Sequence, residues 1–185
     1  MIDINFKQII EDLIPVFDKA GQESINLYKE GLKIEMKDDN SPVSNGDLVV
    51  NKIITNKLIE LTPNIPVISE ETVKVNDKNK NSIFWLIDPI DGTKEYIAGK
   101  DEYTLNAALV MDKKPLIGLV GVPKKNQLFY TYGPGKSFLK ENKKTKNLDC
   151  KKKIKRDDIR AVSSYGKPSE MIMKKLNEYK VSSIT

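Results

Sequence analysis

The sequence has no histidine and a single cysteine, Cys150, in 185 residues. Without histidine there is no imidazole general base, no Ser-His-Asp triad and no His-ligated zinc. One cysteine cannot close an internal disulfide, which agrees with a cytoplasmic setting. No apolar run approaches the ~20 residues that cross a bilayer, so no transmembrane segment is expected. Peripheral association with a membrane stays open. The N-terminus, Met1-Ile2-Asp3-Ile4-Asn5, lacks the basic-then-apolar order of a signal peptide. Any metal site must be built from oxygen ligands. That favours hard cations such as magnesium, manganese or calcium.

What is present fits a soluble globular chain: 39% hydrophobic and 31% charged residues. The length alone suggests about one domain. The net charge of +5 is uneven, because residues 124–160 hold 13 Lys and Arg against 4 Asp and Glu. Few aromatics are interleaved there, and Gly133-Pro134-Gly135 interrupts the run. A solvated loop and hairpin face is expected, with no specific nucleic-acid binding. The alternative use of such a field is to attract a polyanionic small substrate.

Apolar residues from Phe6 to Tyr28 recur at helical spacing, with Pro15 inside the run and Gly31 after it. This predicts a helix over 4–30 that is kinked or broken at Pro15. Ser44 or Asn45 caps a second predicted helix, 45–61, with Val49, Ile53, Ile54, Leu58 and Leu61 on its inner face. A short strand is expected at Pro66–Ser69, then a polar loop at 73–82. Ile83-Phe84-Trp85-Leu86-Ile87 reads as a central strand covered on both faces. Further strands are expected at 104–111, 115–121 and 127–132, with Lys113-Lys114 as the first turn and antiparallel pairing. A strand at 159–163, a helix at 168–179 and a strand start at 180–185 follow.

Carboxylates cluster at the ends of these apolar segments: Asp47, Glu70 with Glu71, and Asp88 with Asp91. A buried strand ending in two acids is unfavourable unless something compensates, since like charges repel and desolvation penalises both. A divalent cation would compensate. Pro89 holds Asp88 extended, and the following turn can return Asp91 to it and aim the Ile90 carbonyl at the same ion. Gly92 allows close backbone approach, and a helix starting at Gly92 or Thr93 would turn free N–H groups toward a phosphate. Glu70 and Glu71 can complete the cage.

Asp88-Pro89-Ile90-Asp91-Gly92-Thr93, with Ile68-Ser69-Glu70-Glu71-Thr72 upstream, resembles the core motif of the inositol monophosphatase superfamily of lithium-sensitive, magnesium-dependent phosphomonoesterases. The segment Lys37 to Asp47 is similar to the K-x-D-x-S-P-V-T-x-A-D pattern of one branch, and Thr93-Lys94-Glu95-Tyr96-Ile97 resembles its T-K-E-F-I. That branch is the bacterial CysQ-type 3′(2′),5′-bisphosphate nucleotidases. Tyr103-Thr104-Leu105-Asn106 and Gly118–Pro123 also fit it. The resemblance implies an α+β fold, a layered α/β sandwich of the sugar-phosphatase type. N-terminal helices would pack on a mostly antiparallel sheet in a lobe over 1–157, and an incomplete second α/β lobe would start at 158–185.

The resemblance also implies the roles. Glu70, Asp88, Asp91 and the Ile90 carbonyl would hold two or three Mg2+ ions, with Mn2+ as the alternative and Asp88 bridging two of them. Asp47 and Thr93 would orient and deprotonate the attacking water, and Glu71 would help hold a metal-bound water. The backbone of Gly92 and Thr93 would bind the phosphate. The implied substrate is adenosine 3′,5′-bisphosphate, its 2′ isomer or its sulfated relative, with AMP and phosphate as products. Inositol 1-phosphate or another sugar phosphate is the alternative substrate, and an inactive phosphate-binding relative the alternative class.

Departures are few. Ser44 and Gly46 stand where the branch has Thr and Ala. Val162-Ser163-Ser164-Tyr165-Gly166 has neither the Arg nor the His of the family's S-R-S-H. The late W-D-x-A motif has no counterpart, so a C-terminally incomplete chain is expected. Cys150 is expected to be a bystander.

Overall fold

The N-terminal apolar stripe forms α1, Phe6–Glu30, which buries Ile9, Ile10, Leu13, Phe17, Ala20, Gly21 and Ser24 along one side. The structure is a computed structural model and describes residues 5–72, 82–149, 159–162 and 168–184. Of the kink or break expected at Pro15, the break does not occur: the helix runs through it. Pro15 sits on the exposed side, where water can serve the carbonyl it leaves unpaired while the apolar face stays packed. Asn5 caps the start through its side chain, which accepts from the Gln8 N–H at 3.1 Å.

A hairpin follows, β1 (Ile34–Met36) against β2 (Pro42–Ser44). Ser44 then caps α2, Asn45–Leu61, in a reciprocal box with Asp47. The buried stripe of α2 is Val50, Ile54 and Leu58, at four-residue steps; Val50 takes the inner place expected of Val49. After β3, Val67–Ser69, the described chain resumes before β4, Ile83–Asp91. A one-turn helix, α3 (Thr93–Ile97), separates β4 from β5 (Thr104–Met111). Then come β6 (Lys114–Val122), a 3₁₀ turn at Pro123–Lys125, β7 (Gln127–Thr131), β8 (Ser137–Glu141) and β9 (Lys144–Asn147).

β3 to β9 make one seven-stranded sheet in chain order. Only the β3–β4 pair is parallel; the remainder is an antiparallel meander. The β5–β6 turn is centred on Asp112-Lys113, both at positive φ, one residue before the expected Lys113-Lys114. Asn142-Lys143 repeats that geometry between β8 and β9. Two consecutive left-handed residues match the twist of a two-residue hairpin, and Asp and Asn tolerate them well.

The core lies between α1, α2 and one face of the sheet, where Trp85, Ile87, Leu105, Leu109 and Leu119 meet the helices. The Trp85 indole N–H donates to Thr62 Oγ1 at 2.9 Å, so its one polar atom is satisfied inside the core. The other face is not covered as the sequence suggested. Leu86, between buried Trp85 and Ile87, is 48% exposed. β4 therefore alternates, as an antiparallel strand with one packed face does.

The chain divides into two compact units, Met1–Leu148 and Asp149–Thr185. In the second, β10 (Arg160–Ala161) pairs in parallel with β11 (Ser183–Ile184), and α4 (Glu170–Glu178) lies between them in sequence. The expected boundary at 157/158, the loop at 73–81, Cys150, the basic residues 151–158 and Ser163-Ser164-Tyr165-Gly166 lie outside the described residues.

Candidate active site at the strand ends

Three segments deliver the acids to one end of the sheet. β3 and β4 run parallel in register Ser69↔Ile87, so Glu70, just past β3, comes level with Asp88 inside β4. The Glu70 N–H donates to the Ile87 carbonyl at 3.1 Å, which extends that pairing by one residue. The capping box brings in Asp47 as the third residue of α2: its Oδ2 accepts from the Ser44 N–H at 2.8 Å and from the Ser44 hydroxyl at 2.6 Å. Asp47 is fully buried, so these bonds make its burial affordable.

Thr93 joins this arrangement. Its hydroxyl lies 3.1 Å from Asp47 Oδ1 and 3.1 Å from the Ile90 carbonyl, with one proton shared between two acceptors. Gly92 supplies the turn that places it. Gly92 has φ +92°, and a Cβ there would fall 2.9 Å from the Glu102 carbonyl. Only glycine fits that conformation and that space.

Electrostatics bind the acids into one group. Burial pushes Asp88 up to about 7, with Glu70 and Asp91 adding repulsion. Asp88 Oδ1 is buried without a hydrogen-bond partner. Burial also raises Glu71, against the opposing pull of Lys37, while Asp47 and Glu70 add repulsion. Lys37, from the β1–β2 turn, places its ammonium 3.2 Å from Glu70 Oε1 and 3.0 Å from Glu71 Oε1. Burial works against that charge, but the bonds to Glu71 and Glu70 outweigh it and hold the lysine above its usual range.

Sequence reasoning assigned Lys37 no role. The signal was available, since it begins the same segment that ends in Asp47. Ser44, noted only as a substitution and possible cap, proves to be the residue that holds Asp47.

An orphaned carboxylate oxygen, a raised Asp88 and a lysine drawn onto two neighbouring glutamates are what a hard, oxygen-seeking cation would relieve. The donor chemistry thus fits a magnesium-type ion. Among the described residues, no three acids are already drawn together as a formed ligand cluster. A separate cavity of about 340 Å3 opens beside α1, lined by Phe17, Gly21, Gly121 and Asn126 among others. It contains none of these acids.

Comparison with known proteins places the chain in a family. The model of the inositol monophosphatase family matches residues 6–180. The 3′(2′),5′-bisphosphate nucleotidase CysQ of Haemophilus influenzae is 31% identical over 150 residues, covering 80% of this chain and 55% of that protein. The crystal structure of CysQ from Bacteroides thetaiotaomicron superposes with a TM-score of 0.69 at 22% identity, over 97% of this chain and 72% of that one. An IMPase/NADP phosphatase complexed with Mg2+ and phosphate gives 0.76 at 18% identity, over 98% and 67%. The chain spans about half the length of the curated relatives it matches. The α+β sandwich, the strand-end acids and a family match over nearly the whole chain converge: this chain belongs to the inositol monophosphatase family.

Proposed function

We propose that the chain carries the catalytic lobe of a metal-dependent phosphomonoesterase that removes the 3′-phosphate of adenosine 3′,5′-bisphosphate, giving AMP and phosphate. The observation that carries this is the Thr93–Asp47 hydrogen bond together with a raised Asp88 whose buried Oδ1 has no hydrogen-bond partner. Glu70, Asp88, Asp91 and the Ile90 carbonyl are the groups that would hold the ions. A bound divalent cation neutralises a phosphate dianion, acidifies water and stabilises the leaving oxygen.

The chain's own residues supply the rest. Thr93 donates toward Asp47, which leaves its lone pairs to accept a hydrogen bond from the attacking water. Asp47 can take the proton that passes through Thr93, because Ser44 already fixes its other oxygen and its orientation. Glu71 would hold a second water. The Gly92 and Thr93 backbone, free of side-chain obstruction at Gly92, would face the phosphate. Water's oxygen joins phosphorus as the bond to the 3′-oxygen breaks, and that oxygen leaves with a proton.

The nucleotide is favoured over inositol 1-phosphate by the CysQ relatives and by Lys94-Glu95 after Thr93. Phosphate release from the two substrates, each with and without magnesium, tests the proposal. Release from the bisphosphate that needs magnesium and exceeds release from inositol 1-phosphate is the expected result. Equal rates would overturn the nucleotide assignment, and no release from either would overturn the enzymatic one.

A further inference from the structure

Gly46 is the second residue of α2, where the backbone is helical and nothing in its dihedrals requires glycine. Glycine in a helix costs about 1 kcal/mol relative to alanine. The reason for it is space. A Cβ on Gly46 would lie 2.6 Å from both Cε1 and the hydroxyl oxygen of Tyr96, and 2.9 Å from its Cζ. The Tyr96 ring cannot retreat freely, because its hydroxyl donates to the Ser24 carbonyl in α1 at 2.6 Å and the ring packs at 4.8 Å on Tyr103. Tyr96 is 1% exposed. One side chain therefore joins three helices: it grows from α3, presses on the first turn of α2, and is anchored in α1.

The same α2–α3 seam carries the proposed catalytic pair. Asp47 directly follows Gly46, Thr93 lies one helical turn before Tyr96, and their 3.1 Å bond crosses the seam beside the wedge. A shift of a few tenths of an ångström there would stretch that bond past hydrogen-bonding range. The anchored hydroxyl pins the ring where an alanine methyl at position 46 would stand.

We infer that Tyr96 is a positioning residue, whose Ser24-anchored ring, seated in the space left by Gly46, sets the spacing between Asp47 and Thr93. The inference rests on the reading of that pair as the water-orienting groups. Gly46→Ala, Tyr96→Phe and the double variant test it. Gly46→Ala alone should lower kcat at least ~10-fold with KM within ~2-fold, because a transition-state contact is misplaced while uniform binding is kept. Tyr96→Phe alone should lower kcat ~3–10-fold with KM unchanged, because the ring loses the Ser24 anchor that sets the spacing, and the double variant should regain activity over Gly46→Ala, since an unanchored ring can yield to the methyl.

Two readouts need no turnover: non-additive melting temperatures, and Asp47 and Thr93 amide resonances that move in Gly46→Ala and return in the double variant. If the parent releases no phosphate, the proposed function falls while these two still decide the inference. Additive melting temperatures would overturn it. So would coupled stabilities with unmoved amides, or a double variant no better than Gly46→Ala. A double variant that folds where Gly46→Ala does not would support it.

Discussion

Three carboxylates press on Asp88. Burial and the neighbouring Glu70 and Asp91 raise it to about 7, above the ordinary 3.8 it regains on unfolding. The folded protein therefore binds more protons than the unfolded chain between those values, so this group's contribution to stability falls as pH rises from about 4 to about 7. Chelator-treated protein should melt at a lower temperature at pH 8 than at pH 6, and Asp88→Asn should flatten that difference. The same substitution should abolish phosphate release while leaving the metal-free protein as stable or more so, because it removes repulsion. A large loss of metal-free stability would contradict the metal-holding role. Thr93→Val keeps the shape but removes the hydroxyl that links Asp47 to the Ile90 carbonyl. Its kcat should drop by ~10²-fold or more with the fold intact by circular dichroism, the size expected for a lost general-base contact.

At the scale of elements, the site depends on how each segment begins. The Ser44–Asp47 box starts α2 and orients the buried acid in the same act. Ser44→Ala should cost about 1–2 kcal/mol, measured by urea denaturation, the upper end of the range for a lost cap because the buried Asp47 carboxylate loses the hydroxyl's bond along with the Gly46 N–H cap. Gly92→Ala meets both a left-handed backbone and the Glu102 carbonyl, so about 1–3 kcal/mol of destabilisation and loss of activity should appear together. At the far edge of the sheet, β9 is exposed throughout and carries Lys144 and Lys146. Lysines on an open edge discourage pairing with another strand. Part of the basic run thus has a structural use, and Lys140 pairs with Asp18 on α1.

For the whole molecule, if the strand-end acids hold ions as proposed, a bound cation should stabilise the fold. A ligand that binds only the folded state at 100 times its Kd adds about 2.7 kcal/mol. Magnesium should therefore raise the melting temperature in a saturable manner, and Asp88→Asn should remove most of that rise. A melting temperature indifferent to magnesium would count against the ion-holding set. Among the described residues, no helix is long and apolar enough to cross a membrane.

Much of this was legible because it is local. The helical stripe of α1, the Ser44 cap and the Asp88–Thr93 turn each depend on residues within a few positions of one another, where spacing and side-chain type decide conformation. The oxygen-only donor set followed from composition, since a chain without histidine leaves carboxylates and carbonyls to bind a hard cation. What remained hidden is long-range. Lys37 meets Glu70 and Glu71 across 33 and 34 residues, and Tyr96 reaches Ser24 across 72. Continuity through Pro15 and the exposure of Leu86 share one reason: whether a side is packed or open to water depends on which elements arrive beside it. The sequence by itself therefore determined the elements, their caps and the chemistry of the acids, because those are properties of neighbouring residues. Only the tertiary structure decided which acids repel, that Lys37 answers them and that a side chain at Gly46 would meet the Tyr96 ring, because those are distances between atoms that the chain brings together only on folding.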